Sequence, residues 1–308
     1  MKIAIIGYGA WGRALASVFA EAGLSVTAWS RSAVNNVASD EINITNDIVS
    51  VGDAEIILMV VPAQSMRSVC VLLEEISIKP EIPLIICSKG IECNSLALMS
   101  EVISDTLPHK NLAILSGPNF AHEIISGLPS SASLACEDQH LAEDLVTTLS
   151  TARLILRPNS DVIGTQIFGA VKNVIAIACG LFDGKQLGQN AKSSLITVGL
   201  QEIKDLCIAK GGKIETSLEL CGIGDLILTC SSRKSRNVAL GAQLATGMTY
   251  QQILSSTDSV MEGAFTAQAV YQLAQSLRVN IRLSTVINDL LYKNEPIESG
   301  INRMLDLI

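Results

Sequence analysis

The chain has 308 residues, of which 48% are hydrophobic and 17% are charged. This composition is typical of a folded globular protein and excludes a disordered chain, and the length is sufficient for two domains of ordinary size. The formal net charge of −8, from 22 basic and 30 acidic residues, repels nucleic acid and anionic membranes, so neither is expected as a partner. An anionic small molecule would have to be held by a few specific Lys and Arg side chains.

The eight cysteines form no Cys-x-x-Cys pair and have no histidine cluster beside them, so no metal site is expected. Most lie in apolar segments, which predicts reduced cysteines that act as small hydrophobic residues in a cytoplasmic protein. No segment is expected to reach the roughly 18 to 20 apolar residues that span a bilayer. Glycines interrupt the apolar residues 1–24 and no cleavage pattern follows, so no signal peptide is predicted.

The first half of the chain alternates short apolar runs with helical patterns. It begins with a run at residues 2–6, a glycine-rich turn and a helical pattern from Trp11 to Ala22 that Gly23 ends. A later helix is predicted over 137–150. Further strands are predicted at 24–29, 55–61, 83–87, 111–116, 131–136 and 153–157. This alternation predicts an α/β fold with a doubly wound parallel sheet.

The pattern changes near residue 160, after which no strand is predicted. Helical patterns cover residues 161–181, 190–210, roughly 235–245, 263–277 and 283–293. The sequence therefore predicts an α/β domain over residues 1–160 and an all-helical domain over residues 161–308.

Residues 7–12, Gly-Tyr-Gly-Ala-Trp-Gly, match the pattern G-x-G-x-x-G between the first strand and the first helix. Gly7 is expected to form the tight turn, Gly9 to let the backbone approach a pyrophosphate, and Gly12 to allow close helix packing. The phosphates would lie at the N-terminus of the helix, where amide groups and the helix dipole favour anions. The N-terminal domain is therefore predicted to be a Rossmann-type dinucleotide-binding domain.

The end of the second strand carries Arg31 and no carboxylate. An NAD-selective site usually has an acidic residue there, whereas a guanidinium can hold the 2′-phosphate of NADP. The sequence therefore favours NADPH as the cofactor, with NADH as the alternative. A solvated loop arginine is the other interpretation of Arg31.

Lys172 and Asn173 are the only polar side chains in the apolar run 167–179. A helix that is apolar on nearly all sides is buried, so the ammonium group of Lys172 is expected in low-dielectric surroundings that lower its pKa towards neutrality. A group that donates and accepts a proton needs such a pKa. The alternative is a lysine that extends to the surface.

Two further charged residues lie in informative places. Lys89 directly follows a predicted strand, and ligands bind at the carboxyl ends of strands in open parallel sheets. Asp225, in the segment Gly-Ile-Gly-Asp-Leu-Ile-Leu, is expected to bind a substrate hydroxyl or to pair with Lys172, and a helix-capping Asp is a further alternative.

Residues 231–237, Ser-Ser-Arg-Lys-Ser-Arg-Asn, form a basic cluster that opens a predicted helix. Ser235 is expected to be the N-cap, with Arg236 and Asn237 in the first turn. Backbone amides and a guanidinium at this end would form a phosphate site. A solvated run of charges is the alternative.

Seven segments, in order along nearly the whole chain, resemble the bacterial NAD(P)-dependent glycerol-3-phosphate dehydrogenase family. They cover residues 7–16, 61–67, 87–92, 116–124, 169–180, 221–237 and 260–263. The resemblance implies interconversion of dihydroxyacetone phosphate and sn-glycerol 3-phosphate, for phospholipid synthesis, with Lys172 as the proton donor and acceptor. It implies that the triose phosphate is held by Lys89, Gly117, Asn119, Lys172, Asp225, Ser235, Arg236 and Asn237. The implied cofactor-binding residues are Gly7, Gly9, Ala10, Trp11, Gly12, Arg31, Lys89, Ala121, Arg236, Val260 and Glu262.

Some positions depart from the family pattern. Ala10 replaces a common Ser, which removes one side-chain contact to the cofactor, and Asn119 replaces a small hydroxyl residue. Gln189 replaces a usual Asp, Lys192 occupies an often basic position, and the stretch after Arg31 is short. The alternative functions are a β-hydroxyacid dehydrogenase of similar architecture and a non-catalytic NADPH-sensing protein. The sequence leaves the oligomeric state open, with a homodimer as one alternative.

Overall fold

The computed structural model describes residues 1–32, 42–107, 111–256 and 261–308. Their contacts divide the chain into two units, each with its own hydrophobic core. The first unit comprises Met1–Ser88 and Met99–Val162, and the second comprises Lys89–Leu98 and Ile163–Ile308. The segment Lys89–Leu98 thus belongs to the second unit although it precedes residue 160 in the chain.

The described residues of the first unit contain an eight-stranded sheet, in the order β3-β2-β1-β4-β5-β6-β7-β8. The strands are β1 Lys2–Ile6, β2 Ser25–Trp29, β3 Ile42–Thr45, β4 Ile56–Met59, β5 Leu84–Ile86, β6 Leu112–Ser116, β7 Ser130–Cys136 and β8 Leu154–Asn159. The neighbouring strands β1 and β4 are buried along nearly their whole length. Burial on both faces explains why their sequences are continuous apolar runs rather than alternating patterns.

Helices cover the sheet of the first unit. They are α1 Ala10–Glu21, α2 Met66–Glu75, α3 Met99–Thr106, α4 Ala121–Ile125 and α5 Gln139–Leu149. Leu15 and Phe19 of α1 are fully buried in one core with Leu58 of the sheet. Gly23, at φ +81°, ends the first helix as predicted, and the amide of Leu24 donates to the carbonyl oxygen of Phe19 at 3.0 Å.

Two features of the sheet differ from the sequence prediction. The sequence does not predict β3, because this four-residue edge strand is only partly buried and lacks a continuous apolar run. The predicted parallel pairing is confirmed for the sheet except at β6 and β7, which pair antiparallel. The connection between them contains the five-residue helix α4.

The second unit is helical in its described residues, apart from one β-bridge between Ile91 and Leu98. Its helices are α6 Val162–Gly184, α7 Gly188–Lys210, α8 Asp225–Ser231, α9 Arg236–Leu244, α10 Tyr250–Ser255, α11 Glu262–Leu277, α12 Arg282–Tyr292 and α13 Ile297–Leu305. The five predicted helical patterns are confirmed as α6, α7, α9, α11 and α12. The sequence does not predict α8, α10 and α13, which have nine residues or fewer.

α6 is the central helix of the second unit. By length and composition it is apolar enough to cross a membrane, so the expectation that no segment reaches that length is wrong. However, 94% of its most apolar 18-residue window is buried inside the structure, as in the core helix of a folded domain. α9 packs against it in backbone contact, since a Cβ on Gly180 would lie 2.1 Å from the carbonyl oxygen of Val238, and one on Gly241 would lie 2.0 Å from that of Ile177.

The cysteines are free thiols, and seven of the eight are buried. Cys179, Cys207 and Cys230 belong to the core of the second unit, and Cys87 and Cys136 to the core of the first. Their expected role as small buried hydrophobic residues is confirmed. Within the described residues, no group of three or more His, Cys, Asp or Glu side chains is arranged to hold a metal ion.

Candidate active site

The turn between β1 and α1 requires two of the three motif glycines for reasons within the protein itself. Gly7 has φ +109°, which favours glycine, and a Cβ there would lie 2.6 Å from the carbonyl oxygen of Val60. A Cβ on Gly12 would lie 2.0 Å from the carbonyl oxygen of Gly7. The tight turn and the close helix packing predicted for these two glycines are therefore confirmed.

Gly9, in contrast, is not explained by the packing of the protein. Its backbone angles of φ −76° and ψ −168° suit any residue, and a Cβ there would meet no atom within 4 Å. The next residue, Ala10, begins α1, and no side chain caps that helix end. Amide groups in the first turn and open space beside Gly9 fit a pyrophosphate, which a side chain at this position would obstruct. The residues of this turn thus fit the NAD(P) that the motif predicts.

The other candidate cofactor residues of the first unit differ in exposure. Ala10 and Arg31 are exposed, whereas Trp11 and Ala121 are half-buried in the first turns of α1 and α4. Arg31 lies just beyond the end of β2, and its contact with a 2′-phosphate stays a prediction. Val260 lies outside the described residues.

Gly117 and Asn119 follow the end of β6. A Cβ on Gly117 would lie 2.7 Å from the Cα of Ala132, so glycine is needed where this turn packs against β7. The side-chain nitrogen of Asn119 donates to the carbonyl oxygen of Ser131 at 3.0 Å and to the hydroxyl of Ser130. Because both amide hydrogens are directed at β7, the side-chain carbonyl oxygen of Asn119 is the group left to contact a substrate.

Lys172 lies in the middle of α6, and its side chain is 7% exposed. It is surrounded along the helix by the fully buried residues Phe168, Ile175 and Ala176. The predicted burial of Lys172 is therefore confirmed, and the alternative of a lysine extending into solvent is excluded.

Asp225 is shared by two lysines. Its Oδ1 accepts a hydrogen bond from Nζ of Lys172, and its Oδ2 accepts one from Nζ of Lys89 at 2.6 Å. Nζ of Lys172 also donates to the hydroxyl of Thr229 at 2.7 Å. We call these four residues the Lys172 cluster. Among the roles predicted for Asp225, pairing with Lys172 is the one that the structure shows.

The Lys172 cluster combines two ammonium groups with one carboxylate, which gives it a net charge of +1 when all three are ionised. Burial lowers the pKa of Lys172 from 10.5 to about 8, because the ammonium form loses its hydration. The carboxylate of Asp225 opposes this effect, and the charge of Lys89 adds to it. The predicted direction of the pKa change is confirmed, and Lys172 can exchange a proton near neutral pH.

The chain is forced into one conformation just before Asp225. The segment Leu220–Gly224, which precedes α8, is kinked at Gly222, whose φ of −88° and ψ of −111° are not helical. A Cβ on Gly222 would lie 2.1 Å from the carbonyl oxygen of Thr216. The close backbone approach predicted from the glycines of this segment is confirmed, and it fixes the start of α8.

Thr229 is a member of the Lys172 cluster that the sequence analysis missed. It lies four residues after Asp225 on α8, and its hydroxyl is 3.3 Å from Oδ1 of Asp225. Residues spaced by four lie on the same face of a helix. That spacing, applied from Asp225, is the signal that could have found Thr229.

Ser235 is the N-cap of α9, as predicted. Its hydroxyl accepts a hydrogen bond from the amide of Val238 at 3.5 Å. Arg236 is exposed in the first turn of this helix. A guanidinium and the amides of a helix N-terminus thus occur together, which is the chemistry that a phosphate group requires.

Asn237 is buried and hydrogen-bonded to two other helices. Its side-chain nitrogen donates to Oδ1 of Asn173 on α6 at 2.9 Å, and its Oδ1 accepts from the amide of Gly263 on α11 at 3.2 Å. Glu262, a candidate cofactor residue, is the first residue of α11. The structure therefore gives Asn237 a role between helices, in addition to its predicted contact with the substrate.

Lys192 is explained by an ion pair outside the Lys172 cluster. Its Nζ donates to Asp183 at 2.7 Å, and the two side chains are 6% and 14% exposed. Gln189, where the family usually has Asp, is exposed.

Comparison with protein families gives two matches that together span most of the chain. The NAD-dependent glycerol-3-phosphate dehydrogenase N-terminus matches residues 2–47 and 33–142. The NAD-dependent glycerol-3-phosphate dehydrogenase C-terminus matches residues 161–302.

Individual proteins agree with these matches. Glycerol-3-phosphate dehydrogenase (NAD(P)+) of Parvibaculum lavamentivorans is 40% identical over 306 residues, covering 93% of this chain and 90% of that protein. The enzyme of the same name from Rhodospirillum rubrum is 42% identical over 320 residues, covering 98% and 91%. The crystal structure of glycerol-3-phosphate dehydrogenase from Coxiella burnetii superimposes with a TM-score of 0.93 at 31% identity, covering 99% of this chain and 98% of that one. The chain belongs to the NAD-dependent glycerol-3-phosphate dehydrogenase family.

Proposed function

We propose that this protein reduces dihydroxyacetone phosphate to sn-glycerol 3-phosphate with NAD(P)H, and catalyses the reverse oxidation. The observation that supports this most directly is the buried Lys172, whose pKa of about 8 suits proton exchange with a substrate oxygen. In this proposal residues 1–160 supply most of the contacts to the dinucleotide, and residues 161–308 supply most of the contacts to the triose phosphate.

Bound NAD(P)H supplies a hydride to C2 of dihydroxyacetone phosphate. Lys172 donates one proton to the oxygen on C2, which turns the carbonyl into a secondary alcohol and leaves a neutral amine. Before that transfer, the positive charge of Lys172 stabilises the negative charge that develops on the oxygen. In the oxidation direction the neutral amine removes the hydroxyl proton.

Asp225 and Thr229 hold Nζ of Lys172, because each hydrogen bond fixes the direction of the ammonium group. Nζ of Lys89 donates to the other carboxylate oxygen, and the Lys89 side chain is 23% exposed. Its ammonium group can therefore also contact a substrate anion. The net positive charge of the Lys172 cluster attracts an anionic substrate into a chain whose overall charge is −8.

The phosphate group of the substrate would be held by Arg236 and by the amides at the start of α9. Ser235 keeps those amides ordered, because its hydroxyl caps the helix. Gly117, Asn119 and Asn237 are the remaining proposed substrate contacts. Binding energy from the phosphate, remote from the reacting carbon, orients C2 for the reaction.

For the cofactor, we propose contacts with the turn of Gly7, Gly9 and Gly12, and with the neighbouring Ala10 and Trp11. Further proposed contacts come from Arg31, Lys89, Ala121, Arg236, Val260 and Glu262. NADPH is the favoured cofactor, because Arg31 rather than a carboxylate follows β2.

We further propose that the enzyme works in the cytoplasm and supplies glycerol 3-phosphate for phospholipid synthesis, with a homodimer as one alternative for its oligomeric state. The seven buried free cysteines support a reducing compartment. Light scattering of the purified chain measures its mass and tests the homodimer.

The experiment that tests the function is steady-state oxidation of NADPH, and then of NADH, with dihydroxyacetone phosphate as the substrate. A set of 2-keto acids and 3-keto acids serves as the comparison. Rapid turnover of dihydroxyacetone phosphate supports the proposal, and preferential turnover of a keto acid contradicts it. Tight binding of NADPH without turnover of any ketone would favour a sensing protein. The Lys172→Ala variant should lose far more in kcat than in its affinity for NADPH.

A further inference from the structure

A network of buried amides connects three helices of the second unit. Nδ2 of Asn237 on α9 donates to Oδ1 of Asn173 on α6, and Oδ1 of Asn237 accepts from the amide of Gly263 on α11. Nδ2 of Asn173 lies 3.3 Å from the carbonyl oxygen of Gly169, one turn earlier on α6. Asn173 and Asn237 are 7% and 8% exposed. We call Asn173, Asn237 and Gly263 the amide network.

Each member of the amide network is the sequence neighbour of a candidate functional residue. Asn173 follows Lys172, Asn237 follows Arg236, and Gly263 follows Glu262. Sequence neighbours share a peptide unit, so a shift of one member moves the backbone that carries its neighbour. The network therefore connects the proposed proton donor, the phosphate-binding arginine and a candidate cofactor residue.

On this basis we propose that Asn173 is a positioning residue for the reaction. Its Oδ1 accepts from Asn237 and so fixes which way the Asn237 amide points, and this leaves Oδ1 of Asn237 facing the amide of Gly263. Without this acceptor, the Asn237 amide keeps only one of its two orienting hydrogen bonds, and the hydrogen bond between α9 and α11 is weakened. The proposal rests on the proposed function, because it concerns how Lys172 and Arg236 are held relative to one substrate.

The close packing around the amide network supports a geometric role. A Cβ on Gly263 would lie 2.5 Å from Oδ1 of Asn237 and 2.8 Å from the carbonyl oxygen of Asn173. Because α6 and α9 are already in backbone contact through Gly180 and Gly241, small displacements there cannot be absorbed easily. A displacement of about 1 Å between reacting groups can cost about 100-fold in rate.

The test is a pair of double-mutant cycles on kcat/KM for dihydroxyacetone phosphate. Asn173→Ala should lower kcat/KM by about 10- to 100-fold. If Asn173 acts by positioning Arg236, the loss caused by Arg236→Ala should be about tenfold smaller in the Asn173→Ala background than in the wild type. Asn288→Ala is the matched control. It removes a buried asparagine from α12 of the same unit, where its nitrogen donates to Asp289, and its effect should multiply with that of Arg236→Ala.

A second variant keeps the test decisive if Asn173→Ala does not fold. Gly263→Ala improves the helix propensity of α11 but places a methyl group against the Asn237 amide, and its cycle with Arg236→Ala should show the same non-multiplicative loss. Fully multiplicative losses in both cycles would overturn the positioning role. Absence of turnover by the wild-type protein is a different result, because it removes the proposed function and the positioning proposal together before any variant is made.

Discussion

The pKa of Lys172 depends on two neighbours that act in opposite directions, so replacing each should move the pH dependence of the reaction in opposite directions. The pKa of about 8 predicts that kcat/KM for reduction is constant near pH 7 and falls about tenfold per pH unit above 8, because the proton donor is lost. Asp225 raises this pKa and Lys89 lowers it. We therefore expect Asp225→Asn to move the inflection below pH 8 and Lys89→Met to move it above pH 8.

The size of each change follows from the geometry. A hydrogen bond between charged groups contributes about 1.5–3 kcal/mol, and one pKa unit corresponds to about 1.4 kcal/mol. Loss of the Asp225 carboxylate, which contacts the Lys172 ammonium directly, should lower the inflection by about one to two pH units. Lys89 is partly exposed, so solvent screens its charge and its removal should raise the inflection by less than about one pH unit.

The assay is kcat/KM for dihydroxyacetone phosphate with NADPH between pH 6 and 10 at constant ionic strength. A titration of the Lys172 Nζ by nitrogen-15 NMR gives the same pKa without depending on the rate. Lys185→Met is the control for Lys89→Met, since Lys185 forms an ion pair of the same 2.6 Å length with Glu298 and is 30% exposed. Inflections that move in the same direction in both site variants, or that stay at pH 8, would contradict the opposite effects of Asp225 and Lys89 on the pKa of Lys172.

Three other outcomes can be measured. A pKa of about 8 for Lys172 instead of 10.5 corresponds to a loss of about 3 kcal/mol in the free energy of unfolding below pH 8, and this loss disappears as the pH rises towards 10.5. Lys172→Met should therefore abolish turnover but raise the free energy of unfolding at pH 7. An equal or lower free energy of unfolding in urea denaturation would contradict this. Glu202 accepts hydrogen bonds from two backbone amides at the start of α12, so Glu202→Gln should lower the free energy of unfolding by about 1–3 kcal/mol. Because burial raises the pKa of Glu202, the wild type loses stability as the pH rises from 4.5 and the variant does not, so the difference between the two proteins should shrink. A difference that grows with pH would exclude the raised pKa. Gly9→Ala should leave the melting temperature unchanged and raise the Kd for NADPH at least about tenfold. Gly12→Ala should lower the free energy of unfolding by about 1–3 kcal/mol. Calorimetry and fluorescence titration measure these effects, and the opposite pattern would contradict the prediction.

The sequence predicts the elements that have a clear apolar pattern, and it misses short elements that are partly exposed. β1, β4 and α6 are buried on nearly all sides, so their apolar runs are continuous and easily recognised. β3 has four residues and is half-exposed at the sheet edge, and the antiparallel direction of β7 is not contained in the hydrophobicity of its residues. Strand direction is therefore the main feature of the fold that the apolar pattern does not contain.

For the candidate site, the sequence identifies charged residues that lie in apolar segments, where charges are rare. Lys172 and Asp225 are charges in apolar surroundings, and both are buried in contact with each other. Thr229 does not stand out in the sequence, because a hydroxyl is tolerated on a buried helix when it has a hydrogen-bond partner. Asn173 stands out only as the second polar residue of an apolar run, and its hydrogen bond with Asn237, like that of Thr229 with Lys172, is seen only in the structure.

Lys172 and Lys192 are both buried, and they differ in their local charge balance. Lys192 is neutralised by Asp183, and a buried pair of that type serves the structure. The carboxylate of Asp225 is shared by Lys89 and Lys172, so the Lys172 cluster has a net positive charge when all three groups are ionised. Such a local positive charge attracts an anion. In the proposed reaction the phosphorylated ketone is that anion, and its carbonyl oxygen becomes negative beside Lys172 during reduction.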